Sequence, residues 1–281
     1  SVRCMKPVSE AIIIGGGPCG SFAALNLAKR GVAVKVFEEH AEVGVPSHCA
    51  GHLTIKGLQS LGLYPLPGKI VENSFCSATF HSPKGNAFSV RFPEAVTCAI
   101  NRALFDKHVA DLAENAGAQY FLDSRVERLI IENGRVKGVI AQQNGEPIRF
   151  LASIVVDAEG ISSRLLRQAG LAGVNRQMLV NAVEAEVNNV KDVELDTVEV
   201  YLGKEYADGL YAWLMPLPDG RAKVGLAAKT GNLKELLQKL MQQHPVASKK
   251  LQAAKVLHES FHPITLGGPI SEAYAAGFLA V

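Results

Sequence analysis

The sequence predicts an α/β chain of two interleaved domains, one built on a parallel sheet flanked by helices and one on an antiparallel sheet. Three observations predict this class. The chain opens with a strand–helix–strand pattern, hairpin turns separate alternating strands in its middle, and more alternating strands follow residue 175. Its 281 residues are 48% hydrophobic and 20% charged, which supplies enough apolar material for a real core.

The N-terminal pattern has the order strand, helix, strand. Residues 10–14 (EAIII) are typical of a buried parallel strand. Residues 18–30 place Ala, Leu and Phe on one helical face, and residues 32–37 (VAVKVF) indicate a second strand. Together they form a βαβ unit, and a helix is predicted to follow over residues 54–62.

The middle of the chain changes to short strands. These fill residues 70–100 and are followed by an amphipathic helix over 101–116. Asn-Gly dipeptides at 133–134 and 144–145 are strong signals for hairpin turns between alternating runs. Residues 153–160 (SIVVDAEG) then predict a separate buried strand that ends in glycine.

The last third predicts a second antiparallel sheet and a helical segment. The strand patterns lie at residues 178–190, 196–202, 208–215 and 221–228. Residues 231–254 predict two helices broken at His244 and Pro245. The element order places residues 1–72, 97–172 and 265–281 in a discontinuous first domain and residues 73–96 and 173–264 in a second domain.

A Gly-x-Gly-x-x-Gly motif follows the first strand. Gly15 allows the tight turn out of the strand, Gly17 lets a pyrophosphate touch the backbone, and Gly20 lets the helix pack on the strand. The helix N-terminus favours phosphate oxygens. Glu38 ends the second strand 18 residues after Gly20 and can accept hydrogen bonds from ribose hydroxyls, with Glu39 as the adjacent candidate. This context predicts a dinucleotide site, although the motif leaves FAD and NAD equally open.

Charge and cysteine content exclude several classes. There are 29 Lys and Arg residues against 27 Asp and Glu residues, and the formal charge of +2 gives no electrostatic reason to expect nucleic acid. The five cysteines are Cys4, Cys19, Cys49, Cys76 and Cys98. Their wide spacing, without a CxxC pair, argues against metal sites and disulfides and favours a reduced, cytoplasmic protein. No apolar run reaches the roughly 18 residues of a membrane span.

Two segments resemble FAD-dependent aromatic hydroxylases and their relatives. Residues 101–106 (NRALFD) resemble the R-x-x-F-D segment of that superfamily, in which the arginine, here Arg102, contacts FAD. Residues 157–163 (DAEGISS) resemble its A-D-G-x-x-S fingerprint, with Glu159 where aspartate is usual. The resemblance implies FAD as the cofactor and a Rossmann-like FAD-binding domain interleaved with an antiparallel-sheet substrate domain.

Within that superfamily the chain resembles the geranylgeranyl reductase family. Residues 46–51 (PSHCAG) resemble the family's P-x-x-C-x-G loop. Residues 211–216 (YAWLMP) resemble its Y-x-W-x-F-P segment, with Met215 in place of Phe, and residues 220–225 (GRAKVG) resemble the A-x-V-G segment that follows. Residues 267–270 (GGPI) also fit the sequence of this family.

This resemblance implies an FAD-dependent reductase that saturates C=C bonds of isoprenoid groups on a lipid or prenyl precursor, with hydride from flavin N5. The implied electron donor is NAD(P)H or ferredoxin, and a lipid substrate implies peripheral membrane contact. The residues expected at the cofactor are Gly15, Gly17, Pro18, Cys19, Gly20, Glu38, Glu39, Cys49, Ala50, Gly51, Arg102, Val126, Glu159, Gly160 and Ser163. Cys4, Cys76 and Cys98 are assigned to structure, and so is the thiol of Cys19, whose position in the glycine-rich turn places it at the cofactor.

The resemblance places Cys49 beside the flavin and the substrate double bond. A thiol with an ordinary pKa of about 8.5 can act as an acid at neutral pH, so Cys49 is a candidate proton donor or a positioning group. His48 and His52 are candidates to tune it or relay protons, or are solvated loop residues. Tyr211 and Trp213 are expected to share one strand face as an apolar substrate wall with Pro216, or to serve as core aromatics.

Two other functions stay open on sequence grounds. One is an FAD-dependent monooxygenase or halogenase on the same fold, against which the cysteine loop and the absence of a W-x-W-x-I-P segment both weigh. The other is a non-catalytic nucleotide-binding remnant. The family's third fingerprint is a Gly-Asp pair after a strand, and the sequence ends with GFLAV where that pair is expected, which predicts a truncated chain.

Overall fold

The computed structural model describes residues 9–281, and Cys4 lies outside these residues. Tertiary contacts divide the chain into two compact units. The first unit comprises the described residues up to Pro46, Ala103–Gln177 and Gly267–Val281, and the second comprises Ser47–Arg102 and Met178–Leu266. Between Ser9 and Val281, no helix combines the length and apolarity that crossing a membrane requires.

The elements follow one another in this order along the chain. The strands are β1 (Ser9–Ile14), β2 (Val34–Phe37), β3 (His52–Thr54), β4 (Val71–Phe75), β5 (Ser77–His81), β6 (Ala87–Arg91), β7 (Thr97–Ile100), β8 (Gln119–Phe121), β9 (Val126–Glu132), β10 (Arg135–Gln143), β11 (Glu146–Asp157), β12 (Leu179–Asn188), β13 (Thr197–Tyr201), β14 (Ala212–Pro216), β15 (Ala222–Ala228), β16 (Lys255–Thr265), β17 (Tyr274–Ala275) and β18 (Phe278–Ala280). The helices are α1 (Pro18–Ala28), α2 (Ile55–Ser60), α3 (Arg102–Asn115), α4 (Arg164–Gln168), α5 (Leu233–Gln243) and α6 (Ala247–Leu251).

The first unit is built on a sheet with the order β17-β18-β11-β1-β2-β8, and β9 and β10 form a hairpin extension from β11. Strands β18, β11, β1, β2 and β8 run parallel. Ile14 at the end of β1 pairs with Phe37 on one side and with Asp157 on the other. The carboxyl ends of the three central strands therefore meet at one edge, where ligands bind in open α/β sheets.

The two faces of this sheet carry separate apolar clusters. Ile12, Phe37 and Phe150 pack on one face, while Ile13, Val36 and Leu25 of α1 pack on the other. Burial on both faces explains why β1 and β2 have nearly continuous apolar sequences. The α/β class with a βαβ start is confirmed.

Strand β11 is longer than predicted. The sequence analysis predicts a separate strand at residues 153–160 after the last alternating run, but the structure has one strand from Glu146 to Asp157. Its first half pairs antiparallel with β10, and its second half pairs parallel with β1. The change of partner explains the change of pattern, from alternating residues in the hairpin to a continuous apolar run between parallel strands.

The second unit contains a seven-stranded sheet with the order β16-β12-β15-β14-β13-β5-β6. Only β5 and β13 run parallel to each other, and the remaining neighbours are antiparallel. One face packs Val183, Leu214 and Val224 against Leu237 of α5 and Leu251 of α6. The predicted antiparallel domain is therefore confirmed as part of the fold class.

A three-stranded sheet, β3-β7-β4, also belongs to the second unit. Residues 47–72 and 97–102 thus group with the second unit, whereas the sequence placed them in the first domain. The reason is strand pairing, because β7 pairs on one side with β3 and on the other with β4. These pairings link segments far apart in sequence and carry no local signal.

The sequence patterns do not predict strand β16. It spans 11 residues at the edge of the seven-stranded sheet, and much of its length is exposed. It contains Pro263, opposite Asn181 of β12. Proline is tolerated in an edge strand because its missing N–H need not join a ladder, so the edge position explains both the proline and the weak pattern.

Candidate functional site

The glycine-rich turn lies at the carboxyl edge of the parallel sheet, between β1 and α1. Gly15 has a φ of +96°, and a Cβ at this position would collide with the carbonyl oxygen of Ala158. Gly20 approaches the turn from the helix, and a Cβ there would collide with the carbonyl oxygen of Gly15. Both positions therefore require glycine, one for backbone conformation and one for close packing of helix on strand.

The entrance to α1 is open. Gly17 is the N-cap, its position has no side-chain cap, and nothing lies within 4 Å of where its Cβ would stand. Pro18 occupies the first turn and Cys19 is exposed beside it. No acidic residue lies in this turn. The first-turn N–H groups and the positive end of the dipole thus face a space that a phosphate can occupy.

Glu38 closes one side of the turn. Its Oε2 accepts a hydrogen bond from the backbone N–H of Gly16 at 2.7 Å, and its Oε1 accepts one from the N–H of His40 at 3.0 Å. The Nδ1 of His40 lies 2.6 Å from the same Oε1. Glu39 points elsewhere, and is paired with Arg125 at 3.5 Å with both side chains about half exposed. The structure therefore sets Glu38, and not Glu39, at the turn.

Asp157 and Glu159 lie at the end of β11, next to β1. Asp157 is 3% exposed, and its Oδ1 accepts a hydrogen bond from the N–H of Glu159 at 3.0 Å while its Oδ2 has no partner. Burial raises the pKa of Asp157 to about 7. Glu159 turns inward, where its Oε1 caps α4 by accepting from the N–H of Leu165 at 2.7 Å. The glutamate in place of the usual aspartate thus serves the local fold.

The remaining positions of this segment have mainly backbone roles. Gly160 has a φ of +66° and is exposed, and Ser163 has a φ of +40° and is buried. The Oγ of Ser163 accepts a hydrogen bond from the N–H of Val174 at 3.1 Å. Val126 is buried in the core, and its carbonyl oxygen accepts a hydrogen bond from Arg164 at 3.1 Å.

Asp157 and Glu159 line a cavity of about 300 Å³ in the first unit, together with Gly160, Leu166, Val174, Pro269, Ile270, Ala273, Ala280 and Val281. The open helix entrance, the Glu38 carboxylate and the two required glycines at the same sheet edge fit a dinucleotide. The helix entrance suits a pyrophosphate, and the carboxylate suits ribose hydroxyls.

The cysteine loop, residues 47–51, lies in the second unit. Gly51 has a φ of +68°, and a Cβ there would collide with the carbonyl oxygen of Ile100 and approach the side chain of Arg102. Lys223 of β15 holds both segments together, since its Nζ donates to the carbonyl oxygens of Ala50 at 3.1 Å and Ile100 at 2.8 Å. The loop is therefore fixed to the end of β7 and to the seven-stranded sheet, all within the second unit.

Two histidines flank the cysteine. The ring of His48 stacks on that of His262, with 5.3 Å between centroids. The Nε2 of His52 lies 2.8 Å from the hydroxyl of Thr97, and its ring packs edge-on against Phe75. Although His52 is exposed as a residue, the packing of its ring lowers its pKa through burial.

Cys49 is exposed and makes no disulfide. Cys98 is buried, and Cys76 lies 3.2 Å from a carboxylate oxygen of Asp196, so both have structural surroundings. Cys19 is exposed at the helix entrance. Among residues 9–281, no three His, Cys, Asp or Glu side chains gather in an arrangement that could hold a metal ion.

The aromatic segment keeps two of its three predicted members together. The rings of Tyr211 and Trp213 meet edge to face, with 6.1 Å between centroids, and Tyr211 is half exposed. Pro216 ends β14, is buried, and by strand alternation lies on the face opposite to Trp213. Its carbonyl oxygen accepts a hydrogen bond from Asn73 at 2.7 Å.

Sequence reasoning missed four polar residues beside these sites. His40 and Asp157 adjoin the glycine turn, and Lys223 and Glu184 lie on the sheet that supports the cysteine loop. Asp157 had a recognisable signal, an acid closing a run of buried apolar residues. Glu184 and Lys223 sit at polar positions of alternating strands, a pattern that normally indicates solvent-facing side chains.

Comparison with known proteins assigns the family. The sequence matches the family described as "FAD binding domain" over residues 8–234. It is 30% identical over 278 residues to digeranylgeranylglycerophospholipid reductase 2 of Methanopyrus kandleri, covering 97% of this chain and 69% of that protein.

Two solved structures share the fold. A geranylgeranyl bacteriochlorophyll reductase-like protein from Thermoplasma acidophilum superposes with a TM-score of 0.91 at 27% identity, covering 99% of this chain and 71% of the other. The flavin-dependent brominase Bmp2 gives a TM-score of 0.81 at 19% identity, covering 97% of this chain and 72% of the other. The brominase similarity shows the fold alone.

Proposed function

The chain belongs to the FAD-binding-domain family and, within it, to the geranylgeranyl reductases, and from that premise we propose that it saturates C=C bonds of geranylgeranyl groups carried by a lipid. It is an FAD-dependent oxidoreductase. The observation that carries the proposed substrate is the 30% identity to the Methanopyrus kandleri reductase over 97% of this chain. A match of that extent covers both compact units and not the nucleotide-binding unit alone.

The first unit binds the cofactor. Gly15 and Gly20 shape the turn, Gly17 leaves room for the pyrophosphate, and Glu38 receives the ribose hydroxyls. FAD, when bound, supplies the hydride that reduces the double bond. Glu39, exposed and paired with Arg125, takes no direct part in binding.

The cysteine loop supplies the proton that the reduction requires. The thiol of Cys49 donates a proton to the substrate carbon that does not receive the hydride. This role suits an exposed thiol in a loop whose neighbours are held on either side by His262 and Lys223. His48 and His52 tune the electrostatics of the loop, His48 through its stack and His52 through Thr97.

The substrate chain is apolar, and Tyr211 and Trp213 provide an aromatic surface for it. The half-exposed ring of Tyr211 meets the chain first. A lipid substrate brings the protein to a membrane surface, so we expect a cytoplasmic protein in peripheral contact with membranes. Electrons reach the cofactor from NAD(P)H or from a ferredoxin.

Product analysis on the full-length natural protein tests this function. The FAD-loaded protein is reduced and incubated without oxygen with a geranylgeranylated glycerophospholipid, and the lipid is analysed by mass spectrometry. We expect products that gain two hydrogen atoms per reduced bond. Cys49→Ser should lower the rate, and Cys76→Ser, on a cysteine outside the loop, should leave it unchanged.

The same assay separates the alternatives. Oxygen-dependent hydroxylation or halogenation of an aromatic compound, with the lipid unchanged, would replace the proposal with a monooxygenase or halogenase. Absence of bound FAD in the full-length protein would indicate a nucleotide-binding remnant. Comparing NAD(P)H with reduced ferredoxin as the reductant identifies the electron donor.

A further inference from the structure

The seven-stranded sheet of the second unit has two chemically different faces. One face carries Val183, Val224 and Leu214, which pack in the core against α5 and α6. Because side chains alternate along a strand, Glu184 and Trp213 lie on the opposite face. We call this the polar face after its charged residues. Over β16, β12, β15 and β14 it includes Ala182, Glu184, Glu186, His258, Ser260, His262, Lys223, Gly225, Trp213 and Met215, and at β14 Met215 and Trp213 join an apolar cluster with Phe75 and Ala99.

The cysteine loop crosses the polar face between two anchors. The ring of His48 stacks on His262 of β16, and the carbonyl oxygen of Ala50 accepts a hydrogen bond from Lys223 of β15. Strand β12 lies between β16 and β15. Cys49 is the residue between the two anchored ones, and from these anchors we infer that the loop carries it across the side of β12 that bears Glu184.

Strand register identifies the residue beneath the crossing. His262 pairs with Ala182, and Lys223 pairs with Glu186. Glu184 lies between those two positions on β12 and on the same face. Its carboxyl group is thus the one functional group that β12 presents midway between the two anchors.

Glycine makes space beside this carboxyl group. Glu184 pairs with Gly225 of β15, and Gly225 pairs with Trp213 of β14. A Cβ at Gly225 would overlap the indole of Trp213, so the ring lies across Gly225 toward β12. Trp213 is the single tryptophan of the chain, which makes it a reporter for Glu184.

The carboxyl group of Glu184 is poorly solvated. Its Oε2 is buried and has no hydrogen-bond partner, while the residue as a whole remains partly exposed. Burial is the largest cause that raises its pKa to about 7; Glu186 and Glu72 also raise it and Lys223 lowers it. The charged groups that act on it directly are Glu186 on β12, Lys223 on β15 and Glu72 on β4. Arg221 pairs with Glu186, His258 and His262 lie on the neighbouring strand β16, and the loop anchored at His262 carries His48 and Cys49.

We propose that Glu184 is the proton store of this site and returns a proton to Cys49 after the thiol has protonated the substrate carbon. This inference rests on the proposed reductase function, because the reduction of a double bond is what consumes the proton of Cys49. Glu184 does not touch the substrate. It acts through Cys49, to which it passes a proton. Its unpartnered oxygen, its partial exposure and its place under the loop are the features that such a role requires.

Protons pass from Glu184 to Cys49 and from Cys49 to the substrate. When a hydride adds to one carbon of the C=C bond, the π electrons form a C–H bond at the other carbon with the thiol proton, and the S–H bond breaks. The O–H bond of Glu184 then breaks as the S–H bond of Cys49 forms again, which leaves a carboxylate. Solvent water returns a proton to the carboxylate through the exposed part of the side chain.

Fluorescence of Trp213 tests whether Glu184 stores a proton at neutral pH. The intrinsic fluorescence of the 281-residue chain, in which Trp213 is the single tryptophan, is titrated from pH 5 to pH 9 without added FAD. We expect a transition centred near pH 7 in the wild-type protein that is lost in Glu184→Gln. Glu186→Gln is the matched control, since it removes a carboxylate from the same strand and face; it should keep the transition but move it to lower pH, because Glu186 raises the pKa of Glu184.

Alkylation of Cys49 tests whether the charge of Glu184 acts on the thiol, as a proton exchange between the two groups requires. Pulse labelling with iodoacetamide followed by peptide mass spectrometry reports this cysteine separately from the others. At pH 8 the Glu184 carboxylate opposes formation of the thiolate, so Glu184→Gln should react at least about threefold faster than wild type, and Glu186→Gln should not.

A fluorescence transition that survives Glu184→Gln, or equal alkylation of Cys49 in that variant and wild type, would overturn the inference. Neither readout requires flavin or substrate. A failure of lipid reduction by wild-type protein therefore rejects the proposed function separately. With active enzyme, Glu184→Gln should lower kcat at least about tenfold and leave KM unchanged, because the carboxyl group does not touch the substrate.

Discussion

The backbone N–H of Gly16 donates a hydrogen bond of 2.7 Å to the buried Oε2 of Glu38, which ties the glycine-rich turn to the end of the neighbouring parallel strand. The bond holds the turn and the carboxylate in one arrangement before any ligand arrives. Because His40 supports the other carboxylate oxygen, the geometry of Glu38 is fixed from both sides. Preorganisation of this kind reduces the ordering cost of binding a dinucleotide.

Glu38→Gln should destabilise the protein by about 2 kcal/mol, because the new amide N–H₂ must face either the N–H of Gly16 or that of His40. FAD affinity should fall at least about tenfold. Urea unfolding and FAD titration measure the two effects. Glu39→Gln is the matched control, since Glu39 is exposed, and it should change stability by less than about 0.5 kcal/mol. Equal effects of the two variants would contradict the assignment.

Gly17→Ala and Gly20→Ala should separate binding from folding. A methyl group at position 17 meets open space, so the free energy of unfolding should fall by no more than about 1 kcal/mol while FAD binding is strongly weakened. A methyl group at position 20 collides with Gly15, so this variant should be destabilised by more than about 2 kcal/mol with or without FAD. Gly68→Ala, which also meets open space, is the control. Normal FAD affinity in Gly17→Ala would argue against a pyrophosphate at this turn.

Lys223→Met should release the cysteine loop. The substitution leaves the carbonyl oxygens of Ala50 and Ile100 without their donor and Glu72 without the ammonium group that lies at 2.7 Å, at a cost of about 3 kcal/mol. Hydrogen exchange measured by mass spectrometry should accelerate in the peptide that contains Cys49. Lys229→Met, at an exposed position just after the same strand, should leave exchange there unchanged. Unchanged exchange in Lys223→Met would show that the loop is held by other contacts.

Asp157→Asn should change how stability depends on pH. Burial raises the pKa of Asp157 from an ordinary 3.8 to about 7, so the folded state binds the proton more tightly than the unfolded state. Asp157 therefore contributes most to the stability of the wild type below pH 4, and this contribution is lost as the pH rises through 7. Asparagine keeps an acceptor for the N–H of Glu159 and cannot ionise. The variant should match wild type at pH 4 and exceed it by about 3 kcal/mol at pH 8.

Urea unfolding at several pH values checks this prediction. Asp111→Asn, on an exposed position of α3, is the control and should show no pH-dependent difference beyond about 0.5 kcal/mol. If Asp157→Asn were less stable than wild type at pH 8, the buried carboxylate would have an ionised partner.

Local signals predicted most of the elements. The βαβ start, the two Asn-Gly hairpin turns and the helix break at His244 are confirmed, because glycine, asparagine and proline act on their own backbone. At the break, the Nδ1 of His244 accepts the N–H groups of Val246 and Ala247, which ends one helix and begins the next.

Features that depend on distant partners were not predictable. The edge strand β16 is specified by pairing with β12, and the grouping of residues 47–72 with the second unit depends on β7. The same applies to the supporting residues of the site. Glu38 and Cys49 stand in recognisable motifs, whereas Lys223 and Glu184 gain their significance only from the loop that crosses their strands.

The central claim, that the protein reduces isoprenoid double bonds with FAD, is tested most directly by the visible absorption spectrum of the flavin under anaerobic conditions. The full-length natural protein is loaded with FAD, reduced with dithionite, and mixed with a geranylgeranylated lipid. We predict that the oxidised flavin spectrum returns at a rate set by the lipid concentration and without oxygen. A reduced spectrum that persists with the lipid and returns only on admission of oxygen would contradict the claim.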